Sequence, residues 1–379
     1  MENESLHLQA GTWSSLLTAA ALVFSMLGCG QPESVRIGFV GGTSGRVADL
    51  GIAGRDAVYL AVERCNDEGG VKGRPVQLIT RDDEQDPGKA VQVVRELIDL
   101  GVVAIIGPMT SSMAVVVAPV ADAAGVLLMS PTVTSEELSG KDDHFFRISS
   151  TTREYAARSA SYQLKSGVMR RVAAVYDMGN RSFTENWLHN FQRVFHEGGG
   201  EIIHVEAFTS GGDTNHLELC RRLLASRPDG VLIIANSMDS AILCQQVRKL
   251  DPRIPVTLAD WGATERLIEL GGKAVEGVTV VQTFDRNSPS PDYQAFRKLY
   301  MERFQREPGF PGVYSFEAAT VVLEALRKQG PGQSLKEVLL ARGRIEGLQN
   351  AFSFDAFGDV QRPEASISIV RNGEFVVLD

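Results

Sequence analysis

The chain has 379 residues, of which 44% are hydrophobic and 22% are charged. These proportions are typical of a globular protein, and the length is sufficient for two packed domains. The formal net charge of -9 argues against a broad nucleic-acid-binding surface, because such surfaces carry a basic footprint. Nucleic acid is therefore not an expected partner.

An apolar run near the N-terminus, Leu16 to Leu27, is too short to cross a bilayer but is typical of the central region of a signal peptide. "MLGC", ending at Cys29, resembles a bacterial lipobox. The resemblance implies a signal peptide over 1–29, lipidation of Cys29 and a tether over 30–34. The sequence departs from that pattern at its acidic start and at Met26, where leucine is preferred. A buried apolar helix ending in an ordinary cysteine is the alternative.

The three other cysteines, Cys65, Cys220 and Cys244, lack the spacing of metal ligands. Cys220 and Cys244 fall on apolar faces of neighbouring predicted helices, which favours packing and leaves a disulfide bond as the alternative. The scattered histidines show no metal-binding spacing either. We expect neither a metal nor a cofactor.

From Val35 onward, short β-branched runs alternate with amphipathic helices, the pattern of parallel sheets covered on both faces. The predicted strands are "VRIGFV", "VQLIT", "VVAIIG", "VLLMS", "RVAAVYD", "EIIHVEAF", "GVLIIAN", "PVTLAD" and "GVTVVQTF". The helix "KAVQVVRELIDLG" shows the period most clearly, with one apolar face formed by Val91, Val94, Leu97 and Ile98.

Two long helices and a hairpin follow, and Asn372 and Gly373 supply the left-handed positions of the hairpin turn. So many strands are unusual in one continuous sheet. The predicted fold class is therefore α/β, with two doubly wound parallel-sheet lobes.

Hydroxyl side chains cluster after two neighbouring strands, where ligands of parallel sheets bind. "GPMTSS" and "PTVTSEEL" place six of them at predicted helix starts: Thr110, Ser111, Ser112, Thr132, Thr134 and Ser135. Together they predict a cradle for an anion. Helix capping is the alternative for either loop alone.

Enzyme and dinucleotide signatures are scarce. "GGTSGRVADLG" lacks G-x-G-x-x-G, and Asp82 lies too far beyond Gly41 to serve as a ribose-binding acid. A P-loop and a nucleophile elbow are also missing from the sequence. The acidic run "RDDEQDPG" could suggest a metal, but a solvated loop with turn residues and a following helix cap is favoured.

The order of these pieces, from Val35 to Asp379, resembles a type I periplasmic binding protein of the leucine/isoleucine/valine-binding group. The resemblance lies in "DAVYLAVERCNDEGGVKGRPVQLITRDDEQDP", "IIGPMTSSMAVVVAPVADAAGVLLMSPTVTSEEL", "ELGGKAVEGVTVVQTFD", "REPGFPGVYSFEAATVVLEAL" and "FSFDAFGDVQRP". It implies two lobes that close on a small ligand. It also implies three crossovers, near Ser149 to Thr151, near Phe284 and near Phe354, giving lobes of 35–150 plus 284–354 and 151–283 plus 355–379.

The resemblance further implies a ligand site. The first lobe would receive a carboxylate at Ser111, Ser112 and Thr134, with Thr132 beside them. In the second lobe, Asp260 would face an ammonium group. Leu50 stands where relatives often carry tyrosine, so a carboxylate without an ammonium group remains an alternative ligand. The other second-lobe candidates are Trp261 as a pocket wall, Phe183 or Ser182, and Asn236 with Asp239.

The expected function is that of a non-enzymatic, lipid-anchored receptor on the periplasmic or extracytoplasmic face of the membrane. It would deliver an amino acid or related small carboxylate to an ABC-type permease. The first alternative is a ligand-sensing subunit of a membrane signalling receptor. The second is an exported α/β enzyme.

Overall fold

The computed structural model describes residues 33–378. Cys29 and the predicted signal peptide lie outside the described residues. The strands of this part are β1 (Val35–Gly41), β2 (Val76–Asp82), β3 (Ala104–Ile106), β4 (Leu127–Ser130), β5 (Phe145–Arg147), β6 (Arg171–Asp177), β7 (Glu201–Phe208), β8 (Gly230–Ile234), β9 (Val256–Leu258), β10 (Thr279–Gln282), β11 (Ser353–Phe354), β12 (Val360–Gln361), β13 (Ser366–Arg371) and β14 (Glu374–Val377).

The helices between them confirm the alternating pattern. They are α1 (Ala48–Asp67), α2 (Pro87–Asp99), α3 (Ser111–Ala123), α4 (Thr152–Ser166), α5 (Arg181–Glu197), α6 (His216–Ala225), α7 (Ser237–Leu250), α8 (Glu265–Gly271), α9 (Pro291–Phe304), α10 (Gly309–Lys328) and α11 (Leu335–Leu340). Short 3₁₀ turns include Gly45–Val47, Glu136–Leu138, Met178–Asn180 and Asp260–Gly262. The short strand β5, with only three residues, was not among the predicted strands.

The strands form two main sheets, and each defines a lobe. Lobe I has the order β2-β1-β3-β4-β5, and all of its pairs are parallel. Lobe II has the order β14-β13-β10-β9-β8-β6-β7, parallel from β10 to β7, with β13 and β14 antiparallel at its edge. Both parallel parts reverse their winding after the first strand, between β1 and β3 and between β6 and β8. Ligands of such sheets bind at that switch point.

Each sheet is buried on both faces because alternate strand residues point in opposite directions. In β1, Ile37 and Phe39 join a cluster with α1 and α10, whereas Val40 faces α2 and α3. The first cluster continues into lobe II through α4 and α5, and α6, α7 and α8 cover the opposite face of that sheet. One apolar core therefore connects the two lobes.

Two local predictions can be compared with the structure. In α2 the buried face is Ala90, Val93, Val94 and Leu97, while Val91 and Ile98 are only partly buried, so the face is rotated slightly from the predicted one. Cys220 and Cys244 are buried free thiols, which confirms packing over a disulfide bond.

The glycines after β1 serve close packing. A Cβ on Gly51, in the first turn of α1, would lie 1.9 Å from the carbonyl oxygen of Gly42. Asp82 accepts the backbone N–H groups of Thr43 (3.0 Å) and Glu84 (2.9 Å). The turn is therefore closed by contacts within the protein.

The last passage of the chain from lobe I to lobe II is held by a buried ion pair. Arg362 donates to Glu317 of α10 at 3.0 Å, and these two side chains are 5% and 4% exposed. The Arg362 guanidinium lies 4.9 Å from the ring centroids of both Tyr314 and Phe352. Glu317 also accepts the backbone N–H of Leu348 at 2.8 Å.

Replacing Arg362 with Met should lower the free energy of unfolding by ~3–5 kcal/mol, because Glu317 would remain buried without its cation. Urea denaturation measures the change. Adding Glu317→Gln should restore much of the loss. As a matched control, Arg344→Met removes an ion pair whose side chains are 75% and 73% exposed, and it should cost at most ~1 kcal/mol. Equal effects at the two sites would contradict the assignment.

Candidate functional site

A small chamber lies between the lobes, beside the carboxyl ends of the sheet strands. Its volume of about 20 Å³ holds about one water molecule, so this is a closed arrangement that must open to admit a larger solute. Residues from both lobes form its wall, namely Leu50, Met109, Thr110, Ser111, Thr132, Asn180, Phe183, Asp260, Trp261 and Phe310. Seven of these were candidates from the sequence: Leu50, Thr110, Ser111, Thr132, Phe183, Asp260 and Trp261.

Two threonines of lobe I use their hydroxyl protons within the protein. Thr110 precedes α3 but makes no side-chain cap, and instead donates to the side-chain oxygen of Gln85 at 3.0 Å. Thr132 donates to the carbonyl oxygen of Met109 at 2.5 Å. Because a hydroxyl group has one proton, each oxygen can only accept a hydrogen bond from any further partner.

Ser111 has the opposite character. Its Oγ accepts the backbone N–H of Ser135 at 3.3 Å, which leaves its own proton available. It also begins α3, and the N-terminal N–H groups and dipole of a helix favour a carboxylate. In the loop after β4, only Ser135 acts as a helix cap, because its side chain accepts the N–H of Glu137 at 3.3 Å.

Asp260 is the acidic group of the chamber. Its Oδ1 accepts the indole N–H of Trp187 at 3.0 Å. Burial raises the pKa of this carboxyl group to about 7, although the Trp187 hydrogen bond opposes the rise. Within residues 33–378, no lysine or arginine forms an ion pair with Asp260, so this partly buried acid lacks a cationic partner.

Apolar side chains from both lobes form the remaining wall. Phe183 meets Trp261 edge to face, with ring centroids 5.6 Å apart and an interplanar angle of 79°. Leu50 and Phe310 close the lobe I side, and both are buried. Phe310, Asn180 and Met109 were not predicted as wall residues, although "REPGFPGVYSF" contains Phe310.

Three other candidates do not line the chamber. The Thr134 hydroxyl is buried with no hydrogen-bond partner among the described residues. Ser112 lies at the contact between the lobes, where its N–H donates to Asn180 at 3.0 Å and its Oγ accepts the N–H of Ser182 at 3.3 Å. The side chain of Asn236 caps α7 by accepting the N–H of Asp239 at 2.9 Å. This cap accounts for the position of the Asn236 side chain.

Further polar contacts hold the lobes together around the chamber. Arg46 of lobe I pairs with Asp239 of lobe II at 2.6 Å, and their side chains are 33% and 0% exposed. Asp49 accepts from the hydroxyl groups of Ser237 and Thr264, both at 2.6 Å. These contacts belong to the closed arrangement.

A larger cavity of about 480 Å³ lies between the lobes at the starts of α1, α8 and α10. Several of its charged wall residues already have partners. Arg266 pairs with Glu269 at 3.0 Å, and Arg306 pairs with Asp56. The chamber, with its uncompensated acid and available hydroxyl proton, is the better candidate for solute recognition.

None of the helices within 33–378 is long and apolar enough to cross a membrane. In the same part of the chain, no cluster of three or more His, Cys, Asp or Glu side chains could hold a metal ion.

A family described as "Periplasmic binding protein" matches residues 34–370. This match covers most of the chain and agrees with the two facing parallel sheets. The chain belongs to the periplasmic binding protein family.

Individual relatives within this family are distant. The "Leu/Ile/Val-binding protein homolog 3" of Brucella melitensis is 23% identical over 370 residues, covering 97% of this chain and 98% of the relative. The branched-chain amino acid transporter substrate binding protein LivJ of Streptococcus pneumoniae, solved with isoleucine, superposes with a TM-score of 0.82 at 21% identity, covering 91% and 99%. A solute binding protein of R. palustris, solved with benzoate, gives a TM-score of 0.82 at 18% identity, covering 91% and 95%. The two structures share the fold of this binding protein.

Arg46→Met should destabilise the closed arrangement relative to an open one by ~1.5–3 kcal/mol, because Asp239 would stay buried without its cation. Small-angle X-ray scattering should then report a larger radius of gyration. Arg303→Met is a suitable control, since the Arg303–Glu63 pair at 3.6 Å lies within lobe I. An unchanged scattering curve for Arg46→Met would show that this ion pair does not bias closure.

Proposed function

We propose that this protein captures an amino acid or related small carboxylate between its lobes and delivers it to the permease of an ABC transporter. The observation that carries the proposal is the chamber's division into an available donor at Ser111, acceptors at Thr132 and Asp260, and an apolar wall. Such a division suits a ligand with a carboxylate, an ammonium group and an apolar side chain. Membership of the binding protein family supports the same role.

Ser111 and the start of α3 would receive the carboxylate. Thr134 would assist, since its hydroxyl has no hydrogen-bond partner in the described chain. Ser112 would contribute only its hydroxyl proton, because its N–H already donates to Asn180. Thr132 has a different role from the one expected from the sequence. Its proton is committed to Met109, so it would accept a hydrogen bond from the ligand.

Asp260 would face the ammonium group. A buried carboxyl with a raised pKa gains most from a nearby cation, which favours its ionised form. Phe183, Trp261, Leu50 and Phe310 would surround the ligand's side chain. The ligands named for relatives include both classes, amino acids and simple carboxylates. One relative is a Leu/Ile/Val-binding protein homologue, and another was solved with benzoate. Benzoate carries no ammonium group.

Closure would couple binding to delivery. A ligand touching both lobes binds the closed state better than the open state, and shifts the equilibrium by that difference. The permease would recognise the closed form. The proposed lobe boundaries are 35–150 plus 284–354 for lobe I and 151–283 plus 355–379 for lobe II.

We also propose a signal peptide ending at a lipidated Cys29, which would tether the protein to the membrane on its periplasmic or extracytoplasmic face. A ligand-sensing subunit of a signalling receptor would use the same closure with a different partner. A non-enzymatic role requires that bound solute be recovered chemically unchanged.

Amino acid binding should weaken as the pH falls below about 7. Asp260 holds its proton up to about pH 7, whereas an adjacent ammonium group lowers the pKa of its carboxyl. Binding therefore releases a proton, and affinity should fall by up to about tenfold per pH unit. Isothermal titration calorimetry between about pH 5.5 and about pH 8, in steps of about half a pH unit, measures this change in affinity.

Asp260→Asn should abolish this pH dependence and weaken amino acids more than matched carboxylates without the amine. The matched carboxylate also serves as the control in the wild-type protein. Equal losses for both ligand classes would exclude the counter-ion role of Asp260.

Ser111→Ala should weaken binding of every carboxylate ligand by ~1–3 kcal/mol, because a buried carboxylate oxygen would lose its donor. A thermal-shift screen of amino acids and simple carboxylates, followed by calorimetry, measures this loss. Ser226→Ala, at the end of α6, is the control and should leave affinity unchanged. If Ser111→Ala bound carboxylates with wild-type affinity, the Ser111 hydroxyl would have only a structural role.

A further inference from the structure

The loop after β2 contains a fully buried acid. Asp83 is 0% exposed, in contrast to the solvated loop predicted from "RDDEQDPG", although the predicted helix cap is present at Asp86. Oδ1 of Asp83 accepts both the backbone N–H and the side-chain N–H of Gln85, at 3.0 and 3.2 Å. Oδ2 has no partner among the described residues. Burial raises the pKa of Asp83 to about 6, and the charges of Asp82 and Glu84 add to the rise.

The backbone of this loop is held in an uncommon shape. Glu84 and Gln85 both have positive φ angles, 53° and 56°, a region that residues with a Cβ rarely adopt. Asp82 supports the turn by accepting the N–H of Glu84 at 2.9 Å. The N–H of Asp86 donates to the carbonyl oxygen of Asp83 at 2.9 Å. Gln85 is thereby directed towards α3.

The two ends of the Gln85 amide differ chemically. A carboxylate only accepts hydrogen bonds, so the end that faces Asp83 is the NH₂ group. The opposite end is then the carbonyl oxygen, and it accepts the hydroxyl of Thr110 at 3.0 Å. Thr110 lines the chamber, whereas neither Gln85 nor Asp83 does.

We propose that Asp83 and Gln85 are positioning residues that orient the Thr110 hydroxyl, so that Thr110 presents only an acceptor to a solute in the chamber. The inference rests on the proposed function and adds a specificity element to that site. A ligand carboxylate oxygen is disfavoured beside Thr110 because two acceptors would meet. A ligand donor, such as an ammonium group, is favoured there.

The decisive comparison uses Gln85→Met, Thr110→Val and the double variant. Gln85→Met keeps the side-chain length but frees the Thr110 proton, so the preference for an amino acid over its matched carboxylate without the amine should fall about 3- to 10-fold. Thr110→Val should reduce the preference by a similar factor. In the Thr110→Val background, adding Gln85→Met should change nothing further, because Gln85 acts only through Thr110.

Calorimetry gives the dissociation constants, and thermal unfolding verifies that each variant is folded. Glu84→Gln is the matched control, since this exposed side chain lies in the same turn, and it should leave the preference unchanged. Independent effects of Gln85→Met and Thr110→Val that multiply in the double variant would overturn the proposal. So would an unchanged preference in Gln85→Met.

A measurement without solute separates this inference from the proposed function. In ¹⁵N–¹H spectra, the Gln85 side-chain NH₂ signals, assigned by their loss in Gln85→Met, should shift as Asp83 titrates. Asp83→Asn should remove that shift. Gln85 signals at free-glutamine positions that do not respond to pH would overturn the proposed contact between Asp83 and Gln85. If the Gln85 signals titrate while every amino acid and carboxylate fails to bind, the positioning of Gln85 by Asp83 is supported and the proposed function is contradicted.

Discussion

The carboxyl ends of two parallel sheets face each other across one cleft, and the other features of the site depend on this constraint. Both sheets reverse their winding after their first strand, so loops diverge from the same point in each lobe. The β3 loop brings Thr110 and Ser111, and the loops after β6 and β9 bring Asn180 and Asp260. Polar groups thereby converge from segments distant in sequence, without any contiguous motif.

Hydroxyl groups in such a chamber acquire their character from their protein partners. Thr132 and Ser111 have the same functional group, yet the Thr132 hydroxyl donates a hydrogen bond to a carbonyl oxygen, whereas the Ser111 oxygen accepts an N–H. Towards the chamber, Thr132 can therefore only accept a hydrogen bond, whereas Ser111 can donate one. Two adjacent loops rich in serine and threonine thus present distinct donor and acceptor groups, rather than the uniform anion cradle suggested by their composition.

Much of the fold and part of the site were predictable from the sequence. The alternating pattern indicates parallel sheets, and the hydroxyl-rich segment after β3 led to Ser111. Leu50, Asp260 and Trp261 came from the family resemblance, and all four line the chamber. The short strand β5 was missed because its three residues directly follow the polar segment 141–144, whereas the equally short β3 and β9 lie within longer apolar, β-branched runs. The hairpin was predicted correctly, with Asn372 and Gly373 at φ of 52° and 73°, because its turn chemistry is local.

The remaining features depend on three-dimensional contacts. Nothing local in the sequence shows that Asp83 is buried, because its burial follows from a turn through two left-handed residues. Asn236 could be a ligand or a helix cap from sequence alone, and only the position of the Asp239 N–H decides. Asn180 was missed because its partner, Ser112, lies in the other lobe. Contacts between lobes have no sequence signature.

Several contacts between the lobes around the chamber are polar, and their polarity affects how ligand binding can control closure. Apolar contact between the lobes is favourable without solute, whereas a polar contact such as Arg46 with the buried Asp239 must lose its water as the lobes close and therefore favours closure less. Converting a mostly open population into a mostly closed one takes about 5.5 kcal/mol of differential affinity. Under the proposed function, a solute that supplies the missing cation of Asp260 and contacts both lobes would provide that difference. Closure would then depend on the correct charge in the chamber, rather than on contacts that the protein makes alone.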